Sequence, residues 1–408
     1  MATSVTPADA LDMLLRFSVV MLQSGNTAVR TRKWIDAIAP KLGFESVSAI
    51  VSLESITVSV RHGGEWLTAM RQLGPPGINV SRIARLEELA RTVRAENAHA
   101  EIAAGLAEVE SAVPRYSFVQ IAVAVGLASG GFAFLNGAAA PETVAAAVGG
   151  GCGQWLRLWL TRRGFNHFGA AVLSAILASG LYVLAAAIGS YFGFRFAQYP
   201  AGFIASILFL VPGFPLIAAL FDLLQYQTLA AVSRFAYGVM LLLAVAFGLS
   251  IVVGVAGVDL SRQPPVELAY GLKLLFRAVA SFVAACAFAM VFNSPPRVAL
   301  AAGLVALGAN ELRLMLTDIG LMLAPAAFFT ALLIGLIALV TERRFNVPPM
   351  AVTVAPIVIM IPGIYAFEMI VLFNRGQMLE ALQASASCFF VVGALAMGLA
   401  VARFVVPR

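Results

Sequence analysis

Two short strings carry the residue types for ligand chemistry inside otherwise apolar surroundings. Pro212-Gly213-Phe214-Pro215 falls in the middle of one apolar stretch, and Pro362-Gly363 falls in the middle of another. Proline removes a backbone donor and glycine weakens a helix, so each stretch is predicted to break there. At membrane depth a broken helix is tolerated only against protein or a water-filled cavity, and the positive end of a half-helix suits a carboxylate. A packing kink with no ligand role is the competing reading; two matching breaks favour a substrate pathway. Polar residues nearby extend the candidate set. Gln154 lies within an apolar stretch, Arg157 lies near its end, Asp222 closes the first broken stretch, and Tyr365 and Glu368 follow the second break. Ionisable groups inside spans mark pathways or proton relays, so Asp222 or Glu368 can carry a coupling proton. Arg157 and Arg234 serve equally well as interfacial anchors.

The elements that must position these residues are membrane helices. The 408 residues are 61% hydrophobic and 12% charged, against about 45–50% and about 25% in a soluble domain. A chain this apolar cannot hide its surface by folding in water. That excludes a cytoplasmic enzyme, a nucleic-acid-binding protein and a disordered chain as whole-chain readings, and indicates an α-helical polytopic protein of a lipid bilayer. Charge is unevenly distributed. Residues 1–115 hold 12 basic and 12 acidic side chains, and residues 116–408 hold 15 and 9. The first part is charged like a soluble domain, and the whole net charge of +6 falls on the second. Met1 to Ala10 does not read as a signal peptide. Cys152, Cys286 and Cys388 lie in apolar segments without metal-ligand or redox spacing and read as small core side chains. Neither a cofactor nor a catalytic motif is expected.

Residues 1–115 read as a small soluble α+β domain. Helical spacing covers Leu11–Gln23 and Thr27–Leu42, with Gly43 as a stop. Alternating β-branched residues follow at Phe44–Val51 and Ser55–Arg61, then a His62-Gly63-Gly64 turn and a third strand over Glu65–Gln72. Ser81 is a candidate N-cap for a helix to Val93, and Ala98–Ser111 is another helix. Arg30, Arg32 and Lys33 form a basic cluster that reads as a solvated face, with contact to anionic lipid as the alternative.

Apolar stretches of spanning length follow at about 116–135, 140–160, 168–189, 200–221, 229–254, 270–292, 297–314, 321–340, 349–373 and 382–406. Ten helices of roughly 20 residues use this length without excess. The chain also repeats itself. Leu156-Arg157-Leu158-Trp159-Leu160-Thr161 matches Leu312-Arg313-Leu314-Met315-Leu316-Thr317 at an offset of 156, and Val211-Pro212-Gly213 matches Ile361-Pro362-Gly363 at an offset of 150. Two five-helix units, 116–260 and 261–408, are therefore expected. A five-helix unit repeated in tandem must cross in opposite senses, which makes the repeats inverted, an architecture of secondary transporters and some channels. With the N-terminal domain cytoplasmic, inside flanks carry Arg115, Arg157, Arg162, Arg163, Arg234, Arg297, Arg343, Arg344, Arg403 and Arg408, and outside flanks carry Arg195, Arg262, Lys273, Arg277, Arg313 and Arg375. By this bias of ten against six both termini are expected in the cytoplasm.

At this point the residues resemble the threonine/serine exporter family. The resemblance is carried by Leu22-Gln23-Ser24-Gly25-Asn26-Thr27-Ala28, Leu210-Val211-Pro212-Gly213-Phe214-Pro215-Leu216-Ile217, Asp222-Leu223-Leu224, Phe292-Asn293-Ser294-Pro295-Pro296-Arg297 and Ile361-Pro362-Gly363-Ile364-Tyr365-Ala366. It is also similar to the two-subunit bacterial succinate exporter, fused into one chain. The chain departs from the family at Ala218-Ala219, where an Asn is common, and at Phe367-Glu368, where Tyr then Arg is common. The resemblance implies proton-driven export of a small hydrophilic, carboxylate-bearing metabolite across a bacterial inner membrane. The expected function is a secondary active exporter of threonine/serine-type amino acids with alternating access about the two broken helices. A dicarboxylate exporter and a channel for small carboxylates are the alternatives, and a homo-oligomer is compatible with each.

Overall fold

The computed structural model describes residues 6–194, 200–257, 269–345 and 347–405. The flank charges Arg195, Arg262 and Arg408, and the connector Gln263-Pro264-Pro265 between the expected fifth and sixth spans, lie outside the described residues.

The N-terminal elements run α1 (Pro7–Gln23), α2 (Ala28–Ile38), β1 (Ser46–Val51), β2 (Ser55–His62), β3 (Glu65–Gln72), α3 (Val80–Thr92) and α4 (Ala98–Ser111). α1 begins a turn before the apolar periodicity does, because Thr6 and Asp9 form a capping box. α2 tightens into a 3-10 turn at Ala39–Leu42, where Pro40 cannot continue an α-helical ladder, and Gly43 ends it with φ +84°. The strands form an antiparallel meander with Val58 opposite both Ala49 and Ala69. The inward face of β2, Ile56, Val58 and Val60, is fully buried and packs towards α1, which supplies Leu14, Phe17 and Met21.

Two details differ from the sequence expectation. Asn79 caps α3, its side chain accepting from the Arg82 N–H at 3.0 Å, while the Ser81 hydroxyl donates to the Asn293 carbonyl at 2.6 Å. In the predicted basic face, Arg32 and Lys33 are exposed but Arg30 turns inward to a two-pronged ion pair with Glu87. Glu87 is fully buried, so it needs a cation with two well-placed donors.

The chain divides into two compact units. The first joins Met1–Arg115 to two later segments, Ala218–Phe235 and Phe292–Ser294. Asp222 and Arg234 form an ion pair at 3.3 Å in its core. The Asp222 carboxylate also accepts from the Ala28 N–H at 3.1 Å, and Arg234 donates to the Asn26 carbonyl at 2.8 Å. Phe292–Ser294 is fastened in the same way: Val80 N–H donates to the Phe292 carbonyl, and the Asn293 side chain bridges Asn79 and the Arg115 N–H.

The second unit holds most of the apolar helices. In chain order the remaining elements are α5 (Phe118–Leu135), α6 (Ala140–Arg162), α7 (His167–Tyr191), α8 (Pro200–Ala205), a 3-10 turn Leu208–Leu210, α9 (Gly213–Leu224), α10 (Thr228–Ala256), α11 (Tyr270–Val291), α12 (Pro296–Asp318), α13 (Leu323–Phe345), α14 (Pro349–Val358), α15 (Gly363–Asn374) and α16 (Met378–Val405). Among the described residues, seven helices are long and apolar enough to cross a membrane, and the α14–α15 pair, bent by 45°, makes an eighth when counted as one span. The count falls short of the ten expected for physical reasons. α6 has 23 residues but carries Glu142, Gln154, Arg157 and Arg162, and the 200–224 stretch is cut into short pieces. Cys152 is exposed on α6 rather than packed in the core.

Elements recur at the offsets read from the sequence. α6 and α12 each have 23 residues and start 156 apart; α9 and α15 each have 12 residues and start 150 apart. The packing recurs too. A Cβ on Gly248 of α10 would lie 2.7 Å from the Val172 carbonyl and 3.0 Å from Ala175 Cβ; one on Gly398 of α16 would meet the Phe328 carbonyl and Ala331 Cβ. Small residues let these apolar helices approach to backbone contact.

Candidate functional site

The two proline–glycine strings come together in the second unit. Pro212, Gly213, Pro362 and Gly363 are all buried. Each break has the same local form: the Gly213 N–H donates to the Val211 carbonyl and the Gly363 N–H to the Ile361 carbonyl, both at 2.8 Å. The contact across them is reciprocal. A Cβ on Gly213 would overlap Ile361 Cδ1, and one on Gly363 would lie 3.3 Å from Val211 Cγ2 and 2.5 Å from Leu208 Cδ2. Between them Phe132, Leu208, Val211, Gly213, Val358, Ile361 and Gly363 enclose about 10 Å³, room for one water at most. The space between the breaks is closed by apolar side chains.

The other candidates are distributed around this closure. Pro215 is half-buried in the first turn of α9, and Tyr365 and Glu368 are half-buried on α15. Asp222 is not with them; it belongs to the first unit, paired with Arg234. Gln154 is buried on α6 and its Oε1 has no hydrogen-bond partner. Arg157, one turn on, is half-buried near Tyr237, and no carboxylate is within ion-pair distance of it among the described residues. Tyr237 in turn meets His167 Nδ1 at 3.3 Å. A wider open groove of about 470 Å³ lies between the C-terminal ends of α10 and α15, lined by Ser250, Gly254, Asn374 and Arg375 among others.

The sequence reading missed a second arginine site. At the 156 offset Gln154 corresponds to Asn310 and Arg157 to Arg313. Asn310 is fully buried, accepts from Arg313 Nε at 3.0 Å and donates to Ser281 of α11 at 2.8 Å. Arg313 also has no carboxylate within ion-pair distance among the described residues, and Tyr365 lies near it. The repeat was the signal that could have found this site; treating Arg313 as an outside flank charge concealed it. Among the described residues no group of three or more His, Cys, Asp or Glu is placed to hold a metal ion.

Residues 12–256 match a family profile described as "Putative threonine/serine exporter", and residues 277–405 match one described as "Threonine/Serine exporter, ThrE". The chain belongs to the threonine/serine exporter family. A Corynebacterium glutamicum protein named "Threonine/serine exporter" is 24% identical across 98% of this chain and 83% of its own length. A Klebsiella aerogenes protein named "Probable succinate transporter subunit YjjP" is 24% identical across 58% of this chain and 90% of its own length. An "Uncharacterized protein" of Haemophilus influenzae is 29% identical over 32% of this chain, which spans 46% of that protein. No solved structure matches the chain. Membership points to a multi-pass membrane transporter rather than an enzyme.

Within this exporter-family chain the motif residues divide into two jobs. Gly213 and Gly363 bring the two breaks into contact. The Leu22–Ala28 string, Asp222 and Asn293 instead hold the first unit together: Gly25 turns at φ +95°, where a Cβ would lie 2.6 Å from the Gly77 carbonyl, and this presents the Asn26 carbonyl to Arg234.

Proposed function

We propose that the chain is a secondary active exporter of small hydrophilic amino acids of the threonine/serine type, driven by the proton-motive force across a bacterial inner membrane. The observation that carries this reading is the reciprocal contact of the two breaks, Gly213 on Ile361 and Gly363 on Val211. Two copies of one element meeting through the same residue pair in both directions is what a two-fold relation produces. In alternating access, inverted repeats exchange conformations about such a centre, opening the closure to one side and then the other.

The reading takes ten spans in two inverted fives, with α6 and the broken 200–224 stretch crossing as well as the helices that are apolar throughout. α6 is about 34 Å long at 1.5 Å per residue, enough to cross. The composition of the first unit supports an even count: residues 115, 226 and 293 share one compact body, so even numbers of crossings separate them. Both termini are then cytoplasmic, as is the 1–115 α+β domain. Pro212, Gly213, Pro215, Pro362, Gly363, Tyr365, Glu368, Gln154 and Arg157 line or flank the pathway, with Arg157 and Arg313 as repeat-related cations that attract a carboxylate from either end.

A dicarboxylate such as succinate is the second reading, favoured by those two arginines and by the name that the Klebsiella aerogenes relative carries. Counterflow in proteoliposomes with threonine, serine, alanine and succinate side by side separates the readings. Saturable exchange of the first three supports the amino-acid exporter; exchange of succinate alone supports the second; conductance without saturation refutes a carrier.

A further inference from the structure

α6 opens on a carboxyl that the fold leaves half-used. Glu142 is only 1% exposed. Its Oε2 accepts from the Ala139 N–H at 2.8 Å, closing a capping arrangement at the helix start. Its Oε1 has no partner. No Arg, Lys or His lies within ion-pair distance of it among the described residues. α5, α7, α8 and the Leu208–Leu210 turn, which has no titratable residue, pack on this helix. Of these, α7 brings the one titratable neighbour, the buried Tyr182 phenol, whose ring rests on Phe203 of α8; α5 and α8 carry no titratable residue. A cap alone needs one oxygen and is ordinarily made at a wet helix end. A carboxylate taken out of water with neither cation nor second donor is among the most expensive groups a fold can hold, and it is tolerated in spans where it has a task.

A second observation gives it a direction. Down the same helix the buried Gln154 Oε1 lacks a partner, as do the facing Ser129 hydroxyl of α5 and Ser174 hydroxyl of α7. Gly150 brings the backbone of α6 onto Ser129, since a Cβ there would overlap the hydroxyl. Residues 142, 146, 150, 154 and 157 fall three or four apart and so share one face. A buried row of unpartnered polar atoms thus runs from Glu142 towards Arg157, over about 22 Å at 1.5 Å per residue. Asp222, one of the two carboxyls that the sequence offered, also has an oxygen without a hydrogen bond, but its charge is offset: Arg234 lies 3.3 Å from Oδ2, and Oδ1 accepts from the Ala28 N–H at 3.1 Å.

We propose that Glu142 carries the coupling proton of transport. This rests on the proton-driven reading above. An O–H bond forms at Oε1 with a proton from water on the outer side and breaks by transfer to water on the inner side; no other bond changes. In the closed state the proton stays, because no cation offsets the charge that its loss would leave.

The test uses purified full-length protein in proteoliposomes, with labelled threonine and labelled succinate as probes. Glu142→Gln keeps the acceptor for the Ala139 N–H and the size of the side chain. The expected result is that E142Q still exchanges probe at equal pH on both sides but loses accumulation driven by a pH gradient. Gradient-driven accumulation retained in E142Q overturns the proposal. Wild-type protein that exchanges probe but ignores the gradient ends the proton-driven reading itself, a different failure. Where E142Q neither exchanges nor accumulates, infrared spectra decide: a protonated-carboxyl band at neutral pH, present in wild type and absent from E142Q, supports the proposal, and no such band overturns it.

Discussion

Gly213 lies against Ile361, and the residue that matches Ile361 in the first half, Val211, lies against Gly363. Any side chain on either glycine meets the opposite break. Gly213→Leu and Gly363→Leu are each expected to abolish transport while the protein still inserts. Gly213→Ala is the finer probe: its methyl would overlap Ile361 Cδ1, so Ile361→Ala should restore part of the counterflow that Gly213→Ala loses. Full counterflow in both leucine variants removes the breaks from the pathway.

Arg157 and Arg313 stand at equivalent places of the two halves, each one turn beyond a buried amide, Gln154 or Asn310. A carboxylate-binding guanidinium is not replaced by an ammonium without losing its two-pronged geometry. Arg157→Lys and Arg313→Lys should therefore each raise the half-saturating concentration in counterflow by about tenfold, the effect of roughly 1.4 kcal/mol. Arg157→Gln should cost more. Unchanged saturation curves in all three variants would make these residues interfacial anchors.

Much of this was legible from residue order, and the limits have physical causes. Period and turn chemistry place the seven N-terminal elements, with Gly43 closing the second helix and the 63–64 glycines turning the second strand into the third. Apolar runs locate the long helices. Two things were hidden. One is burial of polar groups: Arg30 and Asp222 look like surface or pathway charges in sequence, and only the fold shows that Glu87 and Arg234 neutralise them. The other is the reach of distant contacts: nothing local in Phe292-Asn293-Ser294 says that it fastens to Asn79 and Ser81. Glu142 gives no signal in sequence because it sits at the edge of its apolar stretch, where a charge is ordinary; only the fold shows it 1% exposed.

The Asp222–Arg234 pair predicts a stability effect. Both side chains are nearly or fully buried, so removing one partner leaves the other uncompensated. Asp222→Ala should destabilise the first unit by about 3–5 kcal/mol, and Asp222→Ala with Arg234→Met should recover a good part of it. Thermal unfolding of the full-length protein in detergent reads both. Equal midpoints for wild type and Asp222→Ala would mean that the pair is dispensable.

Arg16 of α1 and Glu110 of α4 are joined at the surface, Arg16 Nε to Glu110 Oε1 at 3.0 Å. The Arg16 guanidinium holds the Glu110 carboxyl below its ordinary range. The pair therefore contributes at any pH above the unfolded carboxyl value of about 4.3, and its contribution is lost as pH falls through the lower folded value. An exposed pair is worth about 0–1 kcal/mol. Hydrogen exchange in α1 and α4 should match between wild type and Arg16→Ala only in acid, and differ modestly at neutral pH. A difference that persists unchanged into strong acid would show that Arg16 acts by packing instead.

The side on which α6 ends distinguishes ten crossings from eight. Residues 115 and 226 share one compact body, so α6 and the broken 200–224 stretch cross together or neither crosses. If both cross, Phe165, in the turn after α6, faces the cytoplasm; if neither does, it stays outside with the α5–α6 turn. Phe165 is 51% exposed, Phe192 is 71% exposed after α7, and Met322 is 79% exposed after α12. In a protein with Cys152, Cys286 and Cys388 replaced, single cysteines go at each of these positions and intact cells meet a membrane-impermeant maleimide. Phe192→Cys and Met322→Cys should label from outside, and Phe165→Cys only after the cells are opened. Outside labelling of Phe165→Cys would reduce the first half to three crossings and remove the basis for an inverted five-helix repeat.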